Sequence, residues 1–287
     1  MKAGSTSKLP SNRFTIGDLE CHVVSDGSNA YDPAFLLGSA PAEERAREVR
    51  DELDDDGRLW TPYSCLLIRS GEQLALVDTG LGELAAGGPA GRALDSLGAL
   101  GVEPEDIDVV IVSHCHPDHI GGLTRAADGS RSPVFSRARH YLWQTEWQFW
   151  TSEETLVRLP DMLRAAAEMS LPPLEEAGLV ETVDSETVIM PGVRLMAAPG
   201  HTPGHMVVAL DSRDESFFYL ADTVVHTSNF EHLDWFTAAE ADTELSARTR
   251  RTLLDRAVRE QRRVMAFHVP GRGSVARKGE AFEFRPE

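Results

Sequence analysis

The sequence predicts a layered α/β fold. Three observations carry this: apolar strands alternate with amphipathic helices in two halves, no Pro/Ser-rich or low-complexity linker divides them, and several strands end in a histidine or an aspartate. At 287 residues the chain is long enough for one large or two small domains. The candidate metal ligands run from 114 to 268, which joins both halves, so residues 1–287 are read as a single domain. A hydrophobic content of 41% is ample for a sizeable core.

The elements follow in order. Strands are expected near 14–24, 64–69 and 74–78, then a helix near 91–100. The β-branched run Ile107-Asp108-Val109-Val110-Ile111-Val112 reads as a buried strand. Helices are expected near 145–150 and 155–169, and strands near 193–197, 206–210 and 217–220. The segment 243–261 reads as a long helix whose stripe of Leu245, Leu253, Leu254 and Val258 faces the core.

The run Ser113-His114-Cys115-His116-Pro117-Asp118-His119-Ile120-Gly121-Gly122 leaves the 107–112 strand with three imidazoles and a carboxylate within six positions. Buried polar groups without partners are costly, so such a cluster is hard to explain as ordinary core or surface. Rigid delivery from a strand end is what a metal site requires. His114 and His116 alternate along extended backbone and point the same way, while Asp118 and His119 follow the turn at Pro117 and suit a neighbouring ion. Gly121-Gly122 is expected to turn the backbone tightly into a helix beginning near Leu123. Cys115 should point to the opposite face as a packing residue.

Three further segments repeat the arrangement. His201 lies in a Gly/Pro-rich turn after the 193–197 strand, Asp222 ends Phe217-Phe218-Tyr219-Leu220-Ala221, and His268 ends Val264-Met265-Ala266-Phe267. Open α/β sheets place their sites at such C-terminal strand edges. His205 is expected to steady the turn rather than to ligate.

His114-x-His116-x-Asp118-His119, followed in order by His201, Asp222 and His268, resembles the metallo-β-lactamase fold superfamily, over most of the chain from Leu74-Ala75-Leu76-Val77-Asp78-Thr79-Gly80 onward. The resemblance implies a four-layer αβ/βα sandwich, two mixed β-sheets flanked by helices, with a dinuclear site along one edge. It also implies that His114, His116 and His201 hold one metal and Asp118, His119 and His268 the other, with Asp222 bridging. Histidine and carboxylate donors without a thiolate suit zinc, and also manganese, iron or cobalt. Two divalent ions sharing a water lower its pKa towards neutrality, so that hydroxide attacks a lactone, ester or phosphotriester. Asp118, a ligand in this scheme, is also the carboxylate expected to shuttle a proton to the leaving group.

A closer resemblance is to the branch of N-acyl homoserine lactonases and methyl parathion hydrolase. It rests on Tyr141-Leu142-Trp143-Gln144-Thr145-Glu146-Trp147-Gln148-Phe149-Trp150, on Asp222-Thr223-Val224-Val225-His226 and on His268-Val269-Pro270-Gly271-Arg272-Gly273-Ser274-Val275. Lactonases of that branch carry a tyrosine where Val225 stands here. Trp143, Trp147, Phe35, Val225 and His226 are the candidate walls of a small apolar substrate pocket. Alternatives on the same fold are a thioesterase and a mononuclear iron oxygenase acting on a thiol.

A formal net charge of −18 argues against nucleic acid. No apolar run has transmembrane length, and the first eight residues lack the apolar core of a signal peptide. Cys21, Cys65 and Cys115 form no disulfide or metal pattern. A cytoplasmic protein is expected, acting on a small molecule, with no nucleic acid or membrane partner and with a homodimer left open.

Overall fold

The computed structural model describes residues 12–127 and 129–287; the segment read above for a signal peptide lies outside them. The chain first forms β1 (Arg13–Ile16), β2 (Leu19–Tyr31), β3 (Leu59–Ser70), β4 (Gln73–Val77) and β5 (Val109–Ile111). A separate hairpin of β6 (Thr124–Ala127) and β7 (Ser130–Pro133) follows, then β8 (Arg139–Trp143) and β9 (Val180–Val183). The second half supplies β10 (Thr187–Met190), β11 (Val193–Ala197), β12 (Met206–Ser212), β13 (Glu215–Tyr219), β14 (Arg263–Met265), β15 (Arg272–Lys278) and β16 (Ala281–Pro286). Each half makes a mixed seven-stranded sheet, ordered β1-β2-β3-β4-β5-β8-β9 and β10-β11-β12-β13-β14-β15-β16.

The two sheets pack face to face. Ile16, Cys21, Ile68, Leu76 and Val110 of the first share a core with Leu195, Met206, Val208, Leu210 and Phe217 of the second. Alternate residues of β12 serve opposite faces. Met206, Val208 and Leu210 meet the first sheet, whereas Val207 and Ala209 meet Leu253, Leu254 and Ala257 of the Thr243–Arg259 helix outside it. A strand covered on both faces reads as one unbroken apolar run, which is how this one appears in the sequence. On the other side, Ala93 and Leu97 of the Ala93–Ala99 helix cover the first sheet. The result is the helix–sheet–sheet–helix layering expected from the sequence.

Several local expectations change. The strand expected over 14–24 is a hairpin: Ile16 pairs with Leu19 around Gly17-Asp18, and Gly17 takes a φ of +55° that the tight turn requires. The helix expected over 155–169 is two, Glu153–Leu156 and Asp161–Ser170, because Pro160 stands between them and cannot continue a helix. No helix begins at Leu123. A single turn, Pro117–Ile120, precedes it and the β6–β7 hairpin follows. The glycines there serve a close approach of backbones, since a Cβ on Gly122 would lie 2.2 Å from the Thr79 carbonyl oxygen. In the long helix, Leu245 stays outside the core cluster and Arg250 is buried in the stripe instead. Its guanidinium donates to the Thr223 and Leu233 carbonyls at 2.7 Å and to that of Trp235 at 3.0 Å, tying the helix to the loop beyond Asp222.

Among the described residues no helix is long and apolar enough to cross a membrane. Parallel pairing of β4 with β5 and of β13 with β14 aligns four C-terminal strand ends along one edge. That edge carries the site.

Candidate metal centre

Seven side chains converge there. The loop after β5 brings His114, His116, Asp118 and His119, the loop after β11 brings His201, and the ends of β13 and β14 bring Asp222 and His268. Three groups of donor atoms, each within 4.8 Å, are formed: His114, His116 and His201; His114, His119 and Asp222; and Asp118, His119 and His268.

The first group is all imidazole. His116 Nδ1 lies 3.1 Å from His114 Nε2 and 3.0 Å from His201 Nε2. Nitrogens about 2.1 Å from one tetrahedral ion lie about 3.4 Å apart, so these three need little adjustment to share one. Burial holds His114 well below the usual imidazole range and His116 down to about 3, keeping each lone pair available.

The other two groups mix imidazole with carboxylate. His268 Nε2 is 3.3 Å from Asp118 Oδ2 and 3.2 Å from Asp222 Oδ2. His119 Nε2 is 3.3 Å from Asp222 Oδ1. Burial opposes a charge on His268, yet Asp222 and Asp118 lift it to about 9. One buried and one partly buried carboxylate here call for positive charge. His119 Nε2 and Asp222 Oδ1 are fully buried with no hydrogen-bond partner among the described residues, a costly arrangement unless a cation satisfies both. The donor set therefore fits metal ions.

Asp222 lies between the groups. Its Oδ2 is 3.5 Å from His201 Nε2 and 3.9 Å from His114 Nε2 on one side, and 3.2 Å from His268 Nε2 on the other. His205 stays out of the donor groups, and its Nε2 accepts the Asp222 backbone N–H at 3.2 Å. Cys115 is fully buried in the core between the sheets.

The ligands are oriented from behind by groups the sequence reading did not select. Asp78, at the end of β4, accepts from His119 Nδ1 at 2.9 Å, from the Ser113 backbone N–H at 2.8 Å and from Tyr219 Oη at 3.1 Å. With the proton on Nδ1, the Nε2 lone pair of His119 faces the centre. Glu240 does the same for His201 through Nδ1 at 3.1 Å. Asp78 was open to the rule that found Asp222, an apolar strand ending in a carboxylate. Glu240 sits in a polar loop that carries no comparable pattern.

Beside the centre lies a cavity of about 180 Å³ that reaches His116, Asp118, His201, Asp222 and His268. Phe35, Leu36, Leu81, Met162, Leu163 and Val225 give it an apolar wall, and Tyr31, Tyr63 and Asn29 a polar one. Phe35 and Met162 are 41% and 70% exposed, which places them at its mouth. The structure thus brings two of the five candidate wall residues, Phe35 and Val225, to the cavity.

The other three lie elsewhere. Trp143 ends β8 and is buried in the shared core, and Trp147 packs against the same core because the Gln144–Thr151 helix lays its aromatic rings on the first sheet. Of that segment it is Trp150 that reaches the centre, its ring edge-on to His116 at 5.7 Å. His226 lines a second cavity of about 450 Å³ behind His268, where its Nε2 is 3.3 Å from Glu52 Oε2.

Comparison with known proteins agrees with this architecture. The model of the metallo-beta-lactamase superfamily matches residues 58–268. An N-acyl homoserine lactonase of Bacillus sp is 28% identical over 65% of this chain and 73% of that protein. One of Bacillus thuringiensis is 24% identical over 72% of this chain and 80% of its own. Among solved structures, AidC, a dizinc quorum-quenching lactonase in complex with a product, superposes with a TM-score of 0.86 at 26% identity, over 96% of both chains. The hydrolase AbOPH shares the fold with a TM-score of 0.85 at 22% identity, again over 96% of both.

Proposed function

This chain belongs to the metallo-beta-lactamase superfamily, and from that premise we propose that it is a dinuclear metal-dependent hydrolase of small, neutral esters or lactones with an apolar arm. The observation that carries the dinuclear reading is the place of Asp222, within 3.9 Å of imidazoles of the all-histidine group on one side and of His268 on the other. His114, His116 and His201 would hold one ion, Asp118, His119 and His268 the other, with Asp222 shared. Bound there, two divalent ions supply a hydroxide at neutral pH and polarise the bond to be cleaved.

The remaining work falls to the protein. Asp78 and Glu240 hold His119 and His201 in the tautomers that leave a lone pair facing inward. Asp118 lines the cavity and is the more exposed of the two central carboxylates, at 15% for its side chain. Burial disfavours its charge, but His119 and His268 outweigh that and keep it below the usual carboxylate range. Its oxygens are placed to take a proton and return it to the departing alkoxide.

The walls select the substrate. No lysine or arginine lines the cavity among the described residues, so nothing there pairs with an anionic arm. This disfavours thioesters of polyphosphate-bearing carriers and favours neutral molecules. The lactonases among the relatives act on one such class, N-acyl homoserine lactones.

The test is metal analysis of protein purified without chelator, with assays on N-hexanoyl homoserine lactone, p-nitrophenyl butyrate, a phosphotriester and an acyl-coenzyme A. Two ions per chain and hydrolysis of the neutral substrates are expected, lost on chelation and restored by zinc, manganese or cobalt. Full hydrolysis by demetallated protein, or a single iron with oxygen consumption on a thiol, would overturn the proposal.

A further inference from the structure

One wall of the cavity carries a pair of phenols. Tyr31 ends β2, Tyr63 lies in the neighbouring β3, and their hydroxyls are in direct, short hydrogen-bond contact. Both line the cavity together with the metal-ligating Asp118, Asp222 and His268.

The rings are held from several sides. Tyr63 is only 1% exposed, stacked on Phe267 at 5.3 Å and edge-on to His268 at 5.2 Å. Tyr31 stacks on Phe35 at 5.6 Å with an interplanar angle of 10°, and is edge-on to His268 at 6.5 Å. The pair is therefore fixed relative to a residue of the centre itself.

Counting protons shows what the pair has left to give. Each phenol has one hydrogen to donate and is protonated at neutral pH. Asn29 Nδ2 donates to Tyr63 Oη at 3.4 Å, occupying one acceptor position there. The contact between the hydroxyls consumes one of the two phenolic hydrogens. When Tyr63 donates to Tyr31, the chain runs Asn29 to Tyr63 to Tyr31 and ends on the Tyr31 hydrogen. Among the described residues that hydrogen makes no hydrogen bond to an acceptor other than Tyr63, while the residue lines the cavity. Each bond in such a chain polarises the next, so the terminal hydroxyl is the stronger donor.

We propose that Tyr31 Oη donates a hydrogen bond to the carbonyl oxygen of the bound ester or lactone, with Tyr63 and Asn29 as the residues that position it. The inference rests on the hydrolase reading of the site and narrows its substrates to acyl compounds whose carbonyl reaches this wall. As hydroxide adds to the carbonyl carbon, the C=O π pair moves onto oxygen. A preorganised donor then binds the transition state more tightly than the substrate. No proton need leave Tyr31 for this, and the oxygen's charge returns to the carbonyl when the C–O bond to the leaving group breaks.

The experiment compares wild type with Tyr31→Phe and Tyr63→Phe, each loaded with zinc and analysed for metal. Activity is measured on N-hexanoyl homoserine lactone and p-nitrophenyl butyrate. Tyr31→Phe should lower kcat by about 10–100-fold with KM changed less than about threefold, the behaviour of a donor used in the transition state. Tyr63→Phe should cost less, about 3–10-fold, because Tyr31 remains but is no longer held. A readout independent of turnover is the infrared carbonyl stretch of the bound N-hexanoyl lactam analogue. It should lie at lower frequency in wild type than in Tyr31→Phe, the contribution of the metals being common to both. Unchanged kcat and unchanged carbonyl stretch in Tyr31→Phe with both ions present would overturn the inference and leave the hydrolase reading intact. Absence of hydrolysis of every ester and lactone by wild type would overturn both.

Discussion

Glu146 is a fully buried carboxylate that holds two ligand loops together. One oxygen accepts from the Cys115 backbone N–H at 2.9 Å and from Trp150 Nε1 at 2.7 Å; the other accepts from Thr202 Oγ1 at 2.8 Å and the Gly204 backbone N–H at 2.9 Å. Cys115 stands between His114 and His116, and Thr202 follows His201, so one side chain sets the spacing of the all-imidazole group. In Glu146→Gln an amide NH₂ replaces one acceptor oxygen and faces donors. A loss of about 2–4 kcal/mol in stability is expected from chemical denaturation. Metal affinity at that group should weaken about 10–100-fold, as read by competition with a chelator. Unchanged affinity would show that the loops keep their spacing without it. Asp118→Asn addresses the chemistry instead. It removes the proton-accepting charge at constant size, and kcat should fall about 10²-fold in protein that still carries two ions. Near-normal turnover in that protein would remove Asp118 from proton transfer. The sequence exposed the ligands and hid most of their supports for one reason. Ligands recur at strand ends in a pattern of rare residue types, whereas Glu146 and Glu240 are ordinary acidic residues until the fold brings them to a loop or a ring.

At the scale of elements, strand positions were legible because both faces of the central strands are buried. Met206-Val207-Val208-Ala209-Leu210 needs no partner to be read as a covered strand. What escaped was whatever depends on approach between distant segments. Gly121-Gly122 looks like a turn into a helix, yet the two glycines let the motif loop lie against the backbone of 79–81. Gly122→Ala would set a Cβ 2.2 Å from the Thr79 carbonyl oxygen, and Thr79 is itself held by its backbone N–H, which donates to the His119 carbonyl at 3.0 Å. Backbone cannot swing aside as a side chain does. A destabilisation of about 3 kcal/mol or more is expected in a denaturation curve, together with weaker binding of the second ion through displaced His119. An alanine variant as stable as wild type would mean the loop relaxes at little cost. The two wall candidates in the aromatic segment differ for a related reason. Most of that segment's rings read as packing on the sheet, with Trp143 and Trp147 as candidate walls, but Trp143 ends a strand and Trp147 faces the sheet, so both join the core.

For the whole molecule, the centre joins the two sheets. Four of its donors leave the first sheet after β5, and three leave the second after β11, β13 and β14. Ions bound there would tie together halves that otherwise meet through apolar side chains, and would favour the folded state by mass action. Chelation should lower Tm in calorimetry. Amide exchange should quicken first along the 113–122 and 199–206 loops rather than in the helices outside the sheets. Uniform quickening throughout would instead mean that the sandwich unfolds as one unit on losing its metals.

The mouth of the cavity is built from different segments than its floor. Phe35 and Met162 belong to helices that supply no donor to the centre, and both are exposed to solvent, Met162 the more so. Residues so placed can be exchanged at little cost to stability. Met162→Trp should shift the preferred acyl length by several carbons in a series of N-acyl homoserine lactones, with kcat on the shortest member and metal content both kept. In a lineage of such proteins, diet would then be free to drift at Met162 while the furnace stays the same: new substrates would arrive through substitutions on that side of the rim, whereas Phe35, stacked on Tyr31, answers to the machinery as well.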